Sequence, residues 1–206
     1  ILLDGSASMD YEGKFSFASR LAAGFAYLAA TENEKYALSL FCKKLYPGEP
    51  KRGRRSLIQS IEELDSIKPR GKTSHKAVAD QMEALLKSTS LVVLISDLLG
   101  ETEDVVSSIY RLSGHELVVI QVLAPAEMDL DYSGDIKFVD LEGGAPVITR
   151  ITETERNEYL KRLSQHNDRI REACSQVGAD YFLFSSQRPI FDAFSEMLSR
   201  AVIWKA

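Results

Sequence analysis

Two aspartates, two serines and a threonine are the residues of this chain whose types and spacing point to chemistry. Asp4-Gly5-Ser6-Ala7-Ser8 is an Asp-x-Ser-x-Ser run that follows a short apolar segment. Gly71-Lys72-Thr73 stands just before a helical pattern, and Asp97 follows the most apolar run of the chain, Leu91 to Ile95. Alternate residues of an extended turn present their oxygens to one point, which places Ser6 and Ser8 together. Two carboxylates and three hydroxyls are hard oxygen donors, with no thiolate or imidazole among them. Such a set suits Mg²⁺ or Mn²⁺ far better than Zn²⁺. Plainer roles stand beside this one. Asp4 is also a turn cap, with Ser6 and Ser8 satisfying backbone groups. Thr73 is also a helix N-cap, a role that leaves a lone pair for a ligand. Asp97 after an apolar strand is also compatible with a catalytic acid.

Other reactive side chains offer less. Cys42 and Cys174 are the two cysteines, too few for a disulfide scaffold or a Cys-rich zinc site. Each reads as a small buried hydrophobe. His75, His115 and His166 form no metal-spaced pair. His75 follows Thr73 closely, but in the first turn of a helix it is expected to face solvent. Lys43, Lys44, Lys51, Arg52, Arg54 and Arg55 form a basic run interrupted by Glu49, which reads as a solvated loop and helix start. If Leu45-Tyr46 runs antiparallel, the later part of this run falls at the far end of the sheet from Asp4.

The elements that position these residues alternate between strand and helix. Ile1 to Asp4, Tyr36 to Phe41, Leu91 to Ile95, Leu117 to Leu123 and Tyr181 to Phe184 read as strands, with Leu45-Tyr46 as a short return partner. Helical spacing of apolar residues covers Lys14 to Thr31, Leu57 to Leu64, Ala77 to Leu86, Val105 to Leu112, Tyr159 to Val177 and Phe191 to Val202. Residues 124 to 134 read as a loop, and Ile136 to Leu141 with Val147 to Ile151 as a β-hairpin about Gly143-Gly144. Strands that are apolar on both faces, separated by helices, predict an α/β fold. The expected form is a doubly wound, mostly parallel sheet flanked by helices. In such sheets ligands bind beyond the carboxyl ends of the strands, where Asp4 and Asp97 fall.

Asp4-Gly5-Ser6-Ala7-Ser8-Met9, then Thr73, then Asp97 resemble, in order and in placement, the metal-ion-dependent adhesion site of von Willebrand factor A domains. The Ile1 to Met9 segment, the Ala-rich stretch Leu21 to Ala30, Phe41 and the basic turn Arg52 to Arg55 resemble more closely the bacterial DUF58 family. That resemblance covers nearly the whole chain. It implies a von Willebrand factor A-like, Rossmann-like domain with metal ligands Asp4, Ser6, Ser8, Thr73 and Asp97. It also implies a MoxR-type AAA+ ATPase as partner, contributing an acidic side chain. Members often carry Gly-Gly-Thr where this chain has Gly71-Lys72-Thr73, so Lys72 adds a positive charge beside the expected ion.

Length and composition fit one such domain over residues 1–206, with an insertion over 124–152. The chain has 206 residues, 45% hydrophobic and 27% charged, in the globular range. It begins at Ile1 without a Met, and a truncated N-terminus is expected. No apolar run approaches the ~20 residues that span a bilayer, so no membrane contact and a cytoplasmic location are expected of these residues. The net charge of -5 and the lack of an aromatic series among the basic residues argue against nucleic acid. The expected function is a non-enzymatic protein–protein interaction module. The alternative is a metal-dependent phosphohydrolase on a Rossmann-like sheet. It is weakened because Ser6 stands where an Asp-x-Asp acid/base would be needed. No Gly-x-Gly-x-x-Gly follows the first strand, and Gly5-Ser6-Ala7 lacks the glycines of a nucleophile elbow.

Overall fold

Leu2 and Leu3 point to opposite sides of their strand, and both are fully buried. This strand therefore has helices over both faces. The computed structural model describes residues 1–130, 134–138 and 147–200. In chain order the elements are β1 (Leu2–Asp4), α1 (Lys14–Thr31), β2 (Ser39–Phe41), β3 (Leu45–Tyr46), α2 (Gly53–Asp65) and α3 (His75–Leu85). Then come β4 (Leu91–Ser96), α4 (Thr102–Leu112), β5 (Glu116–Leu123), α5 (Pro125–Asp129), β6 (Gly134–Phe138) and β7 (Val147–Ile151). The described chain closes with α6 (Glu153–Val177), β8 (Asp180–Ser185) and α7 (Ile190–Arg200).

Six strands form one sheet in the order β3-β2-β1-β4-β5-β8. All pairs are parallel except β2 with β3. The doubly wound α/β expectation holds, because the strands alternate their apolar side chains between two cores. Leu3, Ile95, Ile120 and Phe184 pack with Phe17 and Leu21 of α1 and Met197 of α7. Leu2, Leu94 and Val119 pack on the other face with Val78 of α3, Ile109 of α4 and Ile170 of α6. From β1 the chain moves first to β2 on one side, and later to β4 on the other. The switch point thus lies between β1 and β4, and Asp4 and Asp97 stand at its carboxyl edge.

Local departures from the sequence reading have plain causes. Tyr36 to Phe41 is not one strand: β2 begins at Ser39, and Tyr36 makes only an isolated bridge to Lys51. That bridge puts Lys51 at the amino end of β2, away from Asp4. Residues 124 to 134 are not all loop. Pro125 starts α5 with its φ already helical, and the Glu127 carboxylate accepts from Ala124 N at 2.8 Å, capping the first turn. A 3₁₀ segment, Ala7–Gly13, joins β1 to α1, and turns sharply where Glu12 and Gly13 take φ of 41° and 74°. Phe191 is 79% exposed and does not line the buried face of α7. Strands β6 and β7 pair antiparallel as a separate two-stranded sheet. Leu141, Gly143-Gly144 and Val202 lie outside the described residues.

Candidate functional site

Asp4 ends β1 and is fully buried. One carboxylate oxygen accepts from Ser6 N at 2.9 Å, and the other from Ser96 Oγ at 2.6 Å. The first bond closes the turn that sends the chain over the sheet edge. It also aligns Ser6 and Ser8, whose Oγ atoms lie 3.1 Å apart. Burial first, and then the nearby charge of Asp97, push the Asp4 carboxyl up to about 7. Its hydrogen-bond donors are neutral, and they recover only part of what water would supply.

Ser96 is the hub behind Asp4. Its hydroxyl has one proton, which it gives to Asp4, so it must accept from its other neighbours. These are Leu98 N at 3.1 Å and His75 Nε2 at 3.1 Å. His75 therefore carries its proton on Nε2. The expectation that His75 faces solvent fails: it is 5% exposed and packs edge-on against Phe41 at 5.9 Å. Helix α3 lies on the sheet, so its first turn faces β1 and β4. Burial lowers His75 to about 4, which keeps it neutral near pH 7. Ser96 is also fully buried, so this Asp–Ser–His chain presents no nucleophile to solvent.

Asp97 follows β4 and is 3% exposed. Its backbone carbonyl accepts from Gln121 Nε2 at 2.9 Å, and its side chain accepts from Leu99 N at 3.3 Å. Leu98 takes φ of 53°, a left-handed turn that a leucine adopts only under packing, and it is fully buried. The sequence reading missed what faces Asp97. Lys14, the first residue of α1, is fully buried, with Nζ 2.9 Å from Asp97 Oδ2 and 2.6 Å from Glu127 Oε1. Burial opposes the Lys14 charge, but Asp97 and Glu127 override it and hold its pKa above the ordinary range. Burial acts against the Asp97 carboxylate too. Lys14, Ser8 and Leu99 N nevertheless draw its pKa below the usual value. Glu127 is raised, because its burial and the charge of Asp97 outweigh Lys14. Lysines at the start of amphipathic helices normally face water, so periodicity carried no sign of this. The only sequence trace of Glu127 is Pro125 two residues before it, a helix-start signal.

The third element is brought in by the backbone. Ala7 N donates to Gly71 O at 2.9 Å and Arg70 N to Gly5 O at 2.7 Å, which ties the 68–74 loop to the Ser6–Ser8 turn. Thr73 is half-buried in that loop, two residues before α3, while Lys72 is exposed. The sequence-derived set therefore falls on three adjoining segments at one edge of the sheet.

Among the described residues, no group of three or more His, Cys, Asp or Glu side chains is arranged to hold a metal. The arrangement is of another kind: Ser6 is fully buried beside Asp4, while Ser8 and Thr73 are half-buried. Ser6 Oγ and Ser8 Oγ are hydrogen-bonded to each other at 3.1 Å, and Ser8 also bonds the Asp97 carboxylate. Asp4, Asp97 and Glu127 gather around one ammonium, Lys14, while Arg70 and Lys72 stand on the loop tied to the serine turn.

Comparison with known proteins gives a family and a fold. The family model described as "Protein of unknown function DUF58" matches residues 1–169. The chain belongs to the DUF58 family. No curated protein matches it. Among solved structures, this DUF58 chain resembles the conserved hypothetical protein BatB from Bacteroides thetaiotaomicron. The TM-score is 0.60 at 15% identity, over 97% of this chain and 95% of that one. It also resembles an aerotolerance-related membrane protein from Bacteroides fragilis NCTC 9343, bearing multiple mutations to serines. There the TM-score is 0.58 at 19% identity, over 96% and 94% of the two chains. At these identities the likeness establishes the fold. Among the described residues of this DUF58 protein, no helix is long and apolar enough to cross a membrane.

Proposed function

We propose that this DUF58 domain is a non-enzymatic protein–protein interaction module that works through a divalent cation, Mg²⁺ or Mn²⁺, at a metal-ion-dependent adhesion site. The observation that carries the reading is the pair of adjacent serine hydroxyls, Ser6 buried and Ser8 half-buried, in a turn whose buried Asp4 is held by neutral donors. Ser6, Ser8 and Thr73 would hold the ion, which supplies a Lewis-acidic point of attachment for an acidic side chain. Asp4 fixes the serine turn through Ser6 N, and Asp97 accepts from Ser8, so both carboxylates orient the hydroxyl donors. Neutral hydroxyls leave much of the ion's charge unneutralised, and a partner carboxylate completes it. Metal and partner then reinforce each other by linkage. The family resemblance supports a MoxR-type AAA+ ATPase as the partner class.

The phosphohydrolase reading is weaker on geometry. Both Asp4 oxygens are engaged and buried, and Ser6, not a second acid, stands two residues on. The test is affinity for an isolated MoxR-type ATPase in Mg²⁺, in EDTA, and with Asp4→Ala or Thr73→Ala. Binding in Mg²⁺ that is lost in the other three conditions supports the reading. Equal affinity in all four overturns it.

A further inference from the structure

Beside Gly5 a groove of ≈ 530 Å³ opens between two loops. Leu40, Phe41 and Ile67 give it an apolar floor, and Tyr46, 59% exposed, forms a wall. Lys68 and Arg70 stand on its rim, both exposed. Its backbone is laced tightly, with Gly5 N donating to Phe41 O at 2.7 Å and Ser74 N to Cys42 O at 3.2 Å. The groove is therefore built into the fold, and Gly5 on its edge is followed directly by Ser6.

The charge around it is one-sided. The turn 42–46 and the loop 66–74 carry Lys43, Lys44, Lys68, Arg70 and Lys72 and no acidic residue, in a chain of net charge -5. Among the described residues none of these five enters an ion pair, as is also true of Arg52, Arg54 and Arg55 at the start of α2; what sets the groove apart is that its cations surround an apolar floor. Unpaired cations around an apolar floor call for an occupant that brings negative charge and apolar surface together. A single exposed aromatic offers no series of stacking platforms for nucleic acid.

We propose that this groove binds a short extended peptide segment of the partner, with one large apolar side chain on the Leu40–Ile67 floor and Asp or Glu on either side of it. The proposal rests on the adhesion-site reading only for the neighbouring position, where one of those acidic residues meets the ion. At roughly 3.4 Å per extended residue, a segment crossing from the groove over Gly5 reaches the Ser6–Ser8 turn, where Ser8 is half-buried, within a few residues.

The test uses the 206-residue chain and a degenerate pool of nine-residue peptides with Asp or Glu flanking one Phe, Leu or Met. Cys42, expected to be buried, is half-buried and lines the groove, so it reports on it through its rate of alkylation by N-ethylmaleimide. Cys174 is 1% exposed, with its thiol pushed up to about 12 by burial, so it stays silent. The pool should slow Cys42 alkylation, and replacing its acids by amides or its apolar residue by Ser should cost about tenfold in affinity. Lys68→Glu combined with Arg70→Glu should cost at least about tenfold, while Arg162→Glu on α6 changes nothing.

Protection that persists in EDTA supports the groove even if the metal reading fails. Mg²⁺-dependent capture with Cys42 unprotected and the charge reversals silent overturns the groove and leaves the metal reading standing. Equal protection by amide peptides, by a short RNA or by anionic phosphatidylserine vesicles also overturns it.

Discussion

Lys14 Nζ and Asp97 Oδ2 lie 2.9 Å apart, with side-chain exposures of 0% and 4%. This pair joins the start of α1 to the end of β4, and through Glu127 it also holds α5. Tyr159 OH of α6 donates to the Glu127 backbone carbonyl at 2.7 Å, so the residue that binds the ammonium through its side chain also anchors α6. A buried ion pair is a weak source of net stability, but breaking one leaves a bare charge in the interior.

Lys14→Met should therefore destabilise the domain by about 3–5 kcal/mol at pH 7, read by urea denaturation. Because Lys14 neutralises Asp97, the variant should also gain more stabilisation from Mg²⁺ than the unaltered chain does. A mere packing role for Lys14 would leave the Mg²⁺ response unchanged.

The Mg²⁺ response should grow with pH. Folding raises the Asp4 carboxyl to about 7, so its contribution to stability is complete below its unfolded value and is lost as pH rises through about 7. A cation favours the ionised form and opposes that loss. The Tm increase caused by Mg²⁺ should be small at pH 6 and larger at pH 8, and Asp4→Asn should flatten this dependence. A shift that is the same at both values, or that survives in Asp4→Asn, would place the ion elsewhere.

His75 predicts an acid-side loss. Its folded pKa is lowered to about 4, so the stability tied to its neutral form is present above pH 6.5 and disappears as pH falls towards 4. The full span amounts to about 3 kcal/mol. His75→Gln keeps a donor for Ser96, and its melting temperature should fall less steeply between pH 6.5 and 4. Parallel melting curves for the two proteins would show that His75 does not titrate with unfolding.

Gly24 of α1 lies where a Cβ would sit 2.1 Å from the Phe194 ring of α7. Gly24→Ala gains helix propensity, but it must push α7 off α1. The net effect should be destabilising by about 1–3 kcal/mol, with Phe194→Leu in the same chain restoring part of it. Thermal melts of the single and double variants decide this, and a stabilised single variant would contradict the packing.

Residues 91–95 and 117–123 announce buried parallel strands by themselves, because a strand covered on both faces is apolar at nearly every position; Gln121 is the exception, its amide donating to the Asp97 carbonyl. The helical period of α1, and the order of Asp4, Thr73 and Asp97 along the chain, are equally local signals. They suffice for the doubly wound sheet and for one edge where the hydroxyls and carboxylates gather. What lies between those groups is not local. Lys14 looks like an ordinary helix-start lysine until α1 packs on the sheet and turns its first residue inward to Asp97. His75 reverses its expected exposure for the same reason, since the tilt of α3 over β1 and β4 decides which side of its first turn is buried. Glu127 joins across 113 residues and Ser96 reaches Asp4 across 92, separations at which no periodicity speaks. Burial patterns are written in sequence because they repeat along one element. Charge compensation is settled only when several elements close around the same point, and that is a property of the tertiary structure.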